Sequence, residues 1–250
     1  VGAKTIEDKH NLGRISLTTV LTKSSNVGAS RIALSLEPAQ LWSVLDAFGI
    51  GQLTASGFPG ESAGLLTHFE RWREIGQATL AYGYGLSVTP LQLAKAFAIL
   101  GSDGLSRPVT LVATDGVPEA ETRVISAQTA HDVIGMLETV VAPGGTATRA
   151  AVPGYRIAGK TGTARKATAG GYSEKLYTAV FGGLAPASRP RLAAVVVIHE
   201  PSDGAYYGGE VAAPVFAEVV AGSLRILGIP PDQASGHGSG DGAIQAMRRP

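Results

Sequence analysis

Residues Gly154–Lys166, "GYRIAGKTGTARK", decide the fold, because two incompatible structures fit them. The first eight residues match G-x-x-x-x-G-K-[ST], a loop that wraps nucleotide phosphates. The centre, Lys160-Thr161-Gly162, also matches a Lys-Thr-Gly triplet that serves acyl transfer to a serine when it lies on a strand. The flanking residues choose between them.

A phosphate loop needs a buried strand before it and a helix beginning at its Lys-Thr, so that backbone N–H groups and the helix dipole face the anion. The preceding segment, Thr146–Pro153, is polar and ends in proline. After Lys160-Thr161 come Gly162 and then Gly170-Gly171, with threonines between, so no helix is expected there. Tyr155–Ala158, the supposed loop, alternates like a strand, and His199 stands where a magnesium-binding Asp would follow "VVVI". The phosphate loop is rejected.

The alternative makes Arg156–Ala164 an edge strand, whose unpaired N–H and C=O groups allow an extended peptide to dock as one more strand. Gly162 then lets a substrate backbone approach closely. Lys160 supplies a fixed positive charge. Thr161 and Thr163 supply hydroxyls for a carboxylate, and the Thr163 N–H can polarise a carbonyl. A K-[ST]-G triplet arises by chance in roughly 10–20% of chains this long, so it does not stand alone. Ser24-x-Asn26 is a second candidate, and by itself it reads equally as a cap between two helices.

The wider chain agrees with an enzyme-sized globular domain. It has 250 residues, 44% apolar and 16% charged, with net charge +1 and no cysteine. The charge balance gives no basic face for nucleic acid, and the missing cysteines exclude disulfides and thiolate metal sites. The five histidines are scattered without ligand spacing, so no metal or other cofactor is expected. No run approaches the ~20 apolar residues of a membrane span. Helical segments are expected over Ser16–Lys23, Ala29–Leu36 and Pro38–Phe48. A further one starts at the Thr89-Pro90-Leu91-Gln92 capping box, and others cover Ser126–Val141 and Pro214–Leu227. Strands are expected over Tyr155–Ala164, Leu176–Ala185 and Arg191–Glu200, the last two joined by the turn Pro186–Pro190. "LAAVVVI" is apolar without alternation, the mark of a strand covered on both faces. Residues 1–231 read as one domain part and 232–250, rich in Gly, Ser and Asp, as a flexible tail.

Four stretches, "TKSSNVGASRIAL", "AYGYGLSVTPLQLAKAFAILGSDG", "PGGTATRAAVPGYRIAGKTGTARK" and "VVVIHEPSDGAYYGG", occur in an order that resembles the transpeptidase domain of class B penicillin-binding proteins. The likeness is to the division-specific, FtsI-type D,D-transpeptidases of Gram-negative bacteria, and it runs from about Lys4 to Pro231. It implies an α/β fold of α+β type, the fold shared by penicillin-binding proteins and serine β-lactamases. In that fold an antiparallel sheet is flanked by helices, and here it would be incomplete at its N-terminal side. The resemblance further implies that Ser24 relays a proton to the leaving nitrogen, while Asn26 holds the substrate amide and the motif lysine, Lys160. Thr161 and Thr163 would bind the terminal carboxylate beside Gly162, and the Thr163 N–H would form half an oxyanion hole. Tyr172, Tyr177, Tyr206 and Tyr207 would fall in two loops that wall the site. The partners implied are a peptidoglycan stem peptide, β-lactam antibiotics and division proteins at the periplasmic face of the inner membrane, reached through an N-terminal anchor absent here.

The family's nucleophile lies in S-x-x-K, and this motif is missing. Three positions before Lys4, Lys9, Lys23, Lys95, Lys160, Lys166 and Lys175 stand Val1, Ile6, Val20, Gln92, Ile157, Thr163 and Tyr172. The expectation is a piece beginning after that motif, inactive alone, with one margin of the "LAAVVVI" strand left open. The competing expectations are a non-catalytic module of the same fold in the division complex and a serine β-lactamase relative.

Overall fold

The computed structural model describes residues 1–2, 4–113, 120–168 and 171–233. Most of the expected tail, 234–250, lies outside these. Asp232 and Gln233 are tied to the body: Asp232 accepts from the Arg156 and Ser188 N–H groups, and the Gln233 N–H donates to the Gly154 carbonyl at 3.1 Å.

The described helices are α1 (Leu17–Lys23), α2 (Asn26–Leu34), α3 (Pro38–Ala47), α4 (Glu74–Leu80), α5 (Pro90–Gly101), α6 (Ala127–Val141) and α7 (Gly208–Ile226). The two-residue strands β1 (Leu65–Leu66) and β2 (Leu86–Ser87) pair with each other, as do β3 (Leu105–Ser106) and β4 (Thr122–Arg123). The main sheet holds β5 (Ala158–Thr168), β6 (Gly171–Ala185) and β7 (Leu192–His199), antiparallel throughout in the order β5-β6-β7.

Capping chemistry starts the helices that the sequence marks. The Thr89 hydroxyl accepts from the Gln92 N–H while Gln92 Oε1 accepts from the Thr89 N–H at 2.7 Å, with Pro90 in the first turn of α5. Gln92 is 1% exposed and donates to the carbonyls of Gln52 and Ala63, which fastens the preceding loop to α5. Ser126 caps α6 through the Thr129 N–H. Ser25, not a later residue, caps α2, so this helix begins at Asn26, three residues before the expected start.

Two differences have clear causes. The last helix starts at Gly208, six residues before Pro214, which therefore sits inside it. Proline cannot donate to the carbonyl four residues back, and that carbonyl, Glu210 O, accepts from Arg149 Nη1 instead, at 3.2 Å. Helix α4 was not expected; it lacks a side-chain cap and is held by Gln77, whose amide donates to the Ala33 and Leu36 carbonyls at the end of α2.

The sheet separates two apolar layers. Phe181, Ala185, Ala194 and Val196 pack with Phe216, Val220 and Leu224 of α7, and the Phe181 and Phe216 rings meet edge-on at 4.8 Å. On the other face Ala158, Leu184 and Ala193 pack with Phe97 of α5 and Ile134 and Leu137 of α6. Strand β7 thus contributes Ala194 to one layer and Ala193 to the other, which explains its lack of alternation. Among the described residues its outer margin pairs with no strand, as the sequence led us to expect.

Phe181 is fully buried. Phe181→Ala is expected to lower stability by about 3–5 kcal/mol in urea unfolding; a loss under about 1 kcal/mol would contradict this layering.

Candidate active site

The site forms where β5, the sheet edge, meets the turn between α1 and α2. Ser24 ends α1 in the left-handed region, at φ 54° and ψ 49°. A non-glycine residue is held there at a cost of about 1–2 kcal/mol, and the turn sets its hydroxyl toward β5. Lys160 Nζ donates to Ser24 Oγ at 2.7 Å and to the Thr161 carbonyl at 3.1 Å. Residues 136 positions apart thereby share one proton-bearing contact. Asn26 stands in the first turn of α2, half-buried, and no hydrogen bond joins it to Lys160.

Among the described residues Lys160 bonds no carboxylate, and desolvation lowers its pKa from 10.5 to about 8. Near neutral pH it remains mostly a cation.

Alternation sends Lys160 and the threonines to opposite faces of β5. Lys160 pairs with Gly182 on the face covered by α5 and α6, while Thr161 and Thr163 pair with Phe181 and Ala179 on the face of α7. The groups converge around the strand's outer margin rather than from one side of it. Thr163 Oγ1 accepts the Gly208 N–H at 3.0 Å, so its own O–H is free to point outward. That N–H opens α7, a 19-residue helix whose N-terminal end favours negative charge. Thr161 Oγ1 bonds Thr146 Oγ1 at 3.1 Å. A carboxylate at this margin would meet two hydroxyls and a helix N-terminus.

Two glycines show what the fold itself requires. A Cβ at Gly208 would fall 2.3 Å from the Val180 carbonyl and 2.5 Å from that of Gly162, so α7 approaches the sheet only because this residue has none. A Cβ at Gly162 would meet only Val180 Cβ, at an ordinary 3.5 Å. Internal packing among the described residues thus leaves room for a side chain there.

The aromatic residues divide into two groups. Tyr177 stacks on Tyr206 at 4.2 Å, and Tyr206 lies against Tyr207 at 4.4 Å. Tyr172 meets Tyr84 edge-on at 5.0 Å. Tyr172 and Tyr177 lie on β6 itself, not in a loop as expected, because the β5–β6 hairpin extends to Thr168 and Gly171. Tyr206 hydrogen-bonds Tyr207 and is held above the usual phenol pKa by that bond first, while Lys9 beside Tyr207 lowers the latter.

Sequence reasoning missed Thr146, Tyr84, Asp8 and Lys9. The Tyr84 hydroxyl accepts from the Arg165 N–H at 3.4 Å. Asp8 Oδ2 accepts from Ser25 Oγ at 2.5 Å and Oδ1 from the Val27 N–H at 3.2 Å, bracketing Asn26. Only the Y-G-Y-G and P-G-G-T loops carried any signal for Tyr84 and Thr146; nothing local marked Asp8 or Lys9.

A family model described as penicillin binding protein transpeptidase domain matches residues 2–221. The chain belongs to this family. It is 45% identical over 227 residues to the peptidoglycan D,D-transpeptidase FtsI of Escherichia coli K12, covering 91% of this chain and 38% of that protein. It is 42% identical over 231 residues to the probable peptidoglycan D,D-transpeptidase PenA of Neisseria flavescens, covering 92% and 58%. The apo transpeptidase domain of Burkholderia pseudomallei penicillin-binding protein 3 superposes with a TM-score of 0.85 at 44% identity, over 90% of this chain and 69% of that one. The chain spans less than two thirds of the length of these curated relatives. Among the described residues no helix is long and apolar enough to cross a membrane.

The lowered Lys160 pKa has a sign that can be tested. The folded value, about 8, lies below the unfolded one; between the two the unfolded state binds more protons, so this residue's contribution to stability rises with pH from about 8 to about 10.5. An NMR titration of the lysine Cε resonances should show one midpoint near 8 that Lys160→Met removes. All lysines titrating near 10.5 would contradict the desolvated ammonium.

Proposed function

We propose that this chain is part of a serine D,D-transpeptidase that cross-links septal peptidoglycan. The observation that carries this reading is the Lys160–Ser24 contact at the margin of an edge strand whose Gly162 leaves a Cβ-sized opening. A stem peptide ending in D-Ala-D-Ala would lie along β5 as an added strand. Its terminal carboxylate would rest on the hydroxyls of Thr161 and Thr163 and the first turn of α7, and Asn26 would hold its amide.

The reaction needs a serine oxygen to attack the penultimate carbonyl while the C–N bond to the terminal D-alanine breaks. Charge developing on the carbonyl oxygen would be met by the Thr163 N–H. The serine proton must reach the leaving nitrogen, and Ser24, hydrogen-bonded to a lysine of pKa about 8, is placed to relay it. An amine from a second stem then takes the acyl group and frees the serine. β-Lactams, which mimic the terminal dipeptide, would acylate the same serine and stay.

The nucleophile and its base belong to an S-x-x-K segment that this sequence does not contain. The 250 residues alone are accordingly inactive in this reading. The whole protein would work at the periplasmic face of the inner membrane with division partners, anchored by a segment outside this sequence.

Labelling with a fluorescent penicillin tests the proposal. A protein extended upstream through S-x-x-K should be tagged covalently, and the 250-residue chain should not. In the extended protein Ser24→Ala should slow acylation by about 100-fold or more. Gly162→Ala should slow it by about tenfold or more, from a methyl group in the substrate's path, while leaving stability within about 1 kcal/mol of the parent. An extended protein that folds and takes no label overturns the reading.

A further inference from the structure

Lys9 lies in the segment before α1, with no role in the chemistry above. Its ammonium sits 3.7 Å from the centroid of the Tyr207 ring, within the range of a cation–π contact. Tyr207 leans on Tyr206, which stacks on Tyr177, so the cation rests at the end of a three-ring stack. The residue after Tyr207 is Gly208, whose N–H is bonded to Thr163 Oγ1. The stack therefore ends one residue from the hydroxyl at the strand margin.

The segment is also fixed by the residue before Lys9. Asp8 accepts from Ser25 and Val27 on either side of Asn26, so adjacent residues tether this stretch to both walls of the cleft. Lys9 is exposed and makes no ion pair among the described residues. A negative group that acts on the tyrosines is Glu210 in the first turn of α7. Its charge reaches Tyr206 and Tyr207, but it forms no ion pair with Lys9. An ammonium held on an aromatic platform without a carboxylate partner is a ready receptor for one.

We propose that Lys9 is a specificity-determining residue that favours ligands carrying a second carboxylate, placed on the part of the ligand lying along the Tyr177–Tyr206–Tyr207 wall. The inference rests on the transpeptidase reading, and it adds a preference that reading does not contain. The terminal carboxylate belongs to Thr161 and Thr163; the second belongs to Lys9. An exposed ion pair is weak, so the expected discrimination is about 3–10-fold.

The test compares carbenicillin with benzylpenicillin, which differ by one carboxylate on the acyl side chain, using the protein extended through S-x-x-K. Lys9→Met should lower the ratio of their acylation rate constants, carbenicillin over benzylpenicillin, by about 3–10-fold. Lys9→Arg should keep the parent ratio. Raising the salt to about 0.5 M should shrink the difference between parent and Lys9→Met, since exposed charges are screened. An unchanged ratio in Lys9→Met, with benzylpenicillin still acylating, overturns the role of Lys9 and leaves the transpeptidase reading standing. Acylation by neither compound in the folded parent overturns that reading and this proposal together. Lys9→Gln carries the same comparison if Lys9→Met fails to fold.

Discussion

The arrangement depends on a single reach across the molecule, the ammonium of Lys160 on the hydroxyl of Ser24. Neither residue is in place without its own support. Ser24 faces the sheet because α1 ends in a left-handed residue and Ser25 immediately opens α2 by capping the Gly28 N–H. Lys160 faces Ser24 because the register of β5 against β6 sends it to the side of α5 and α6. A slip of one residue would exchange Lys160 for Thr161 and carry the hydroxyls away from α7.

That register is enforced by burial on both faces of the sheet. Phe181 and Leu184 anchor opposite layers of β6, one beneath Phe216 and the other against α6. Because the interior fixes the strand so firmly, its outer margin can remain free of pairing and still be well positioned. The start of α7 completes the margin: Gly208 approaches the β5 and β6 carbonyls as only a residue without a Cβ can, and gives its N–H to Thr163. A helix N-terminus, two hydroxyls and a desolvated ammonium thus surround one strand edge and give it an electropositive lining.

How much of this was legible in the sequence follows from the range of each interaction. Helices α5 and α6 were readable because N-terminal caps and apolar faces are local. The rejection of the phosphate loop was also local, resting on the residues around Lys160. The start of α7 was misread because Pro214 looks like a first-turn proline; the replacement bond from Arg149 to the Glu210 carbonyl spans 61 positions and leaves no trace in the pattern. Helix α4 escaped for the same reason, its anchor Gln77 bonding carbonyls more than 40 positions away. In the site, Lys160, Thr161, Thr163, Ser24 and Asn26 were named because they belong to short motifs. Tyr84 and Thr146 had only the weak signal of their glycine loops and Asp8 and Lys9 had none, so all four join the site through tertiary packing.

In the proposed reading this strand margin and the Ser24 turn would form one acyl-transfer groove. A crystal structure of the protein extended through S-x-x-K, acylated by benzylpenicillin, tests it most directly. The drug's carboxylate should lie within hydrogen-bond reach of Thr161 and Thr163, its amide beside Asn26, with Lys160 still bonded to Ser24. An acyl group seated away from β5, or Lys160 turned off Ser24 toward another partner, would contradict that reading.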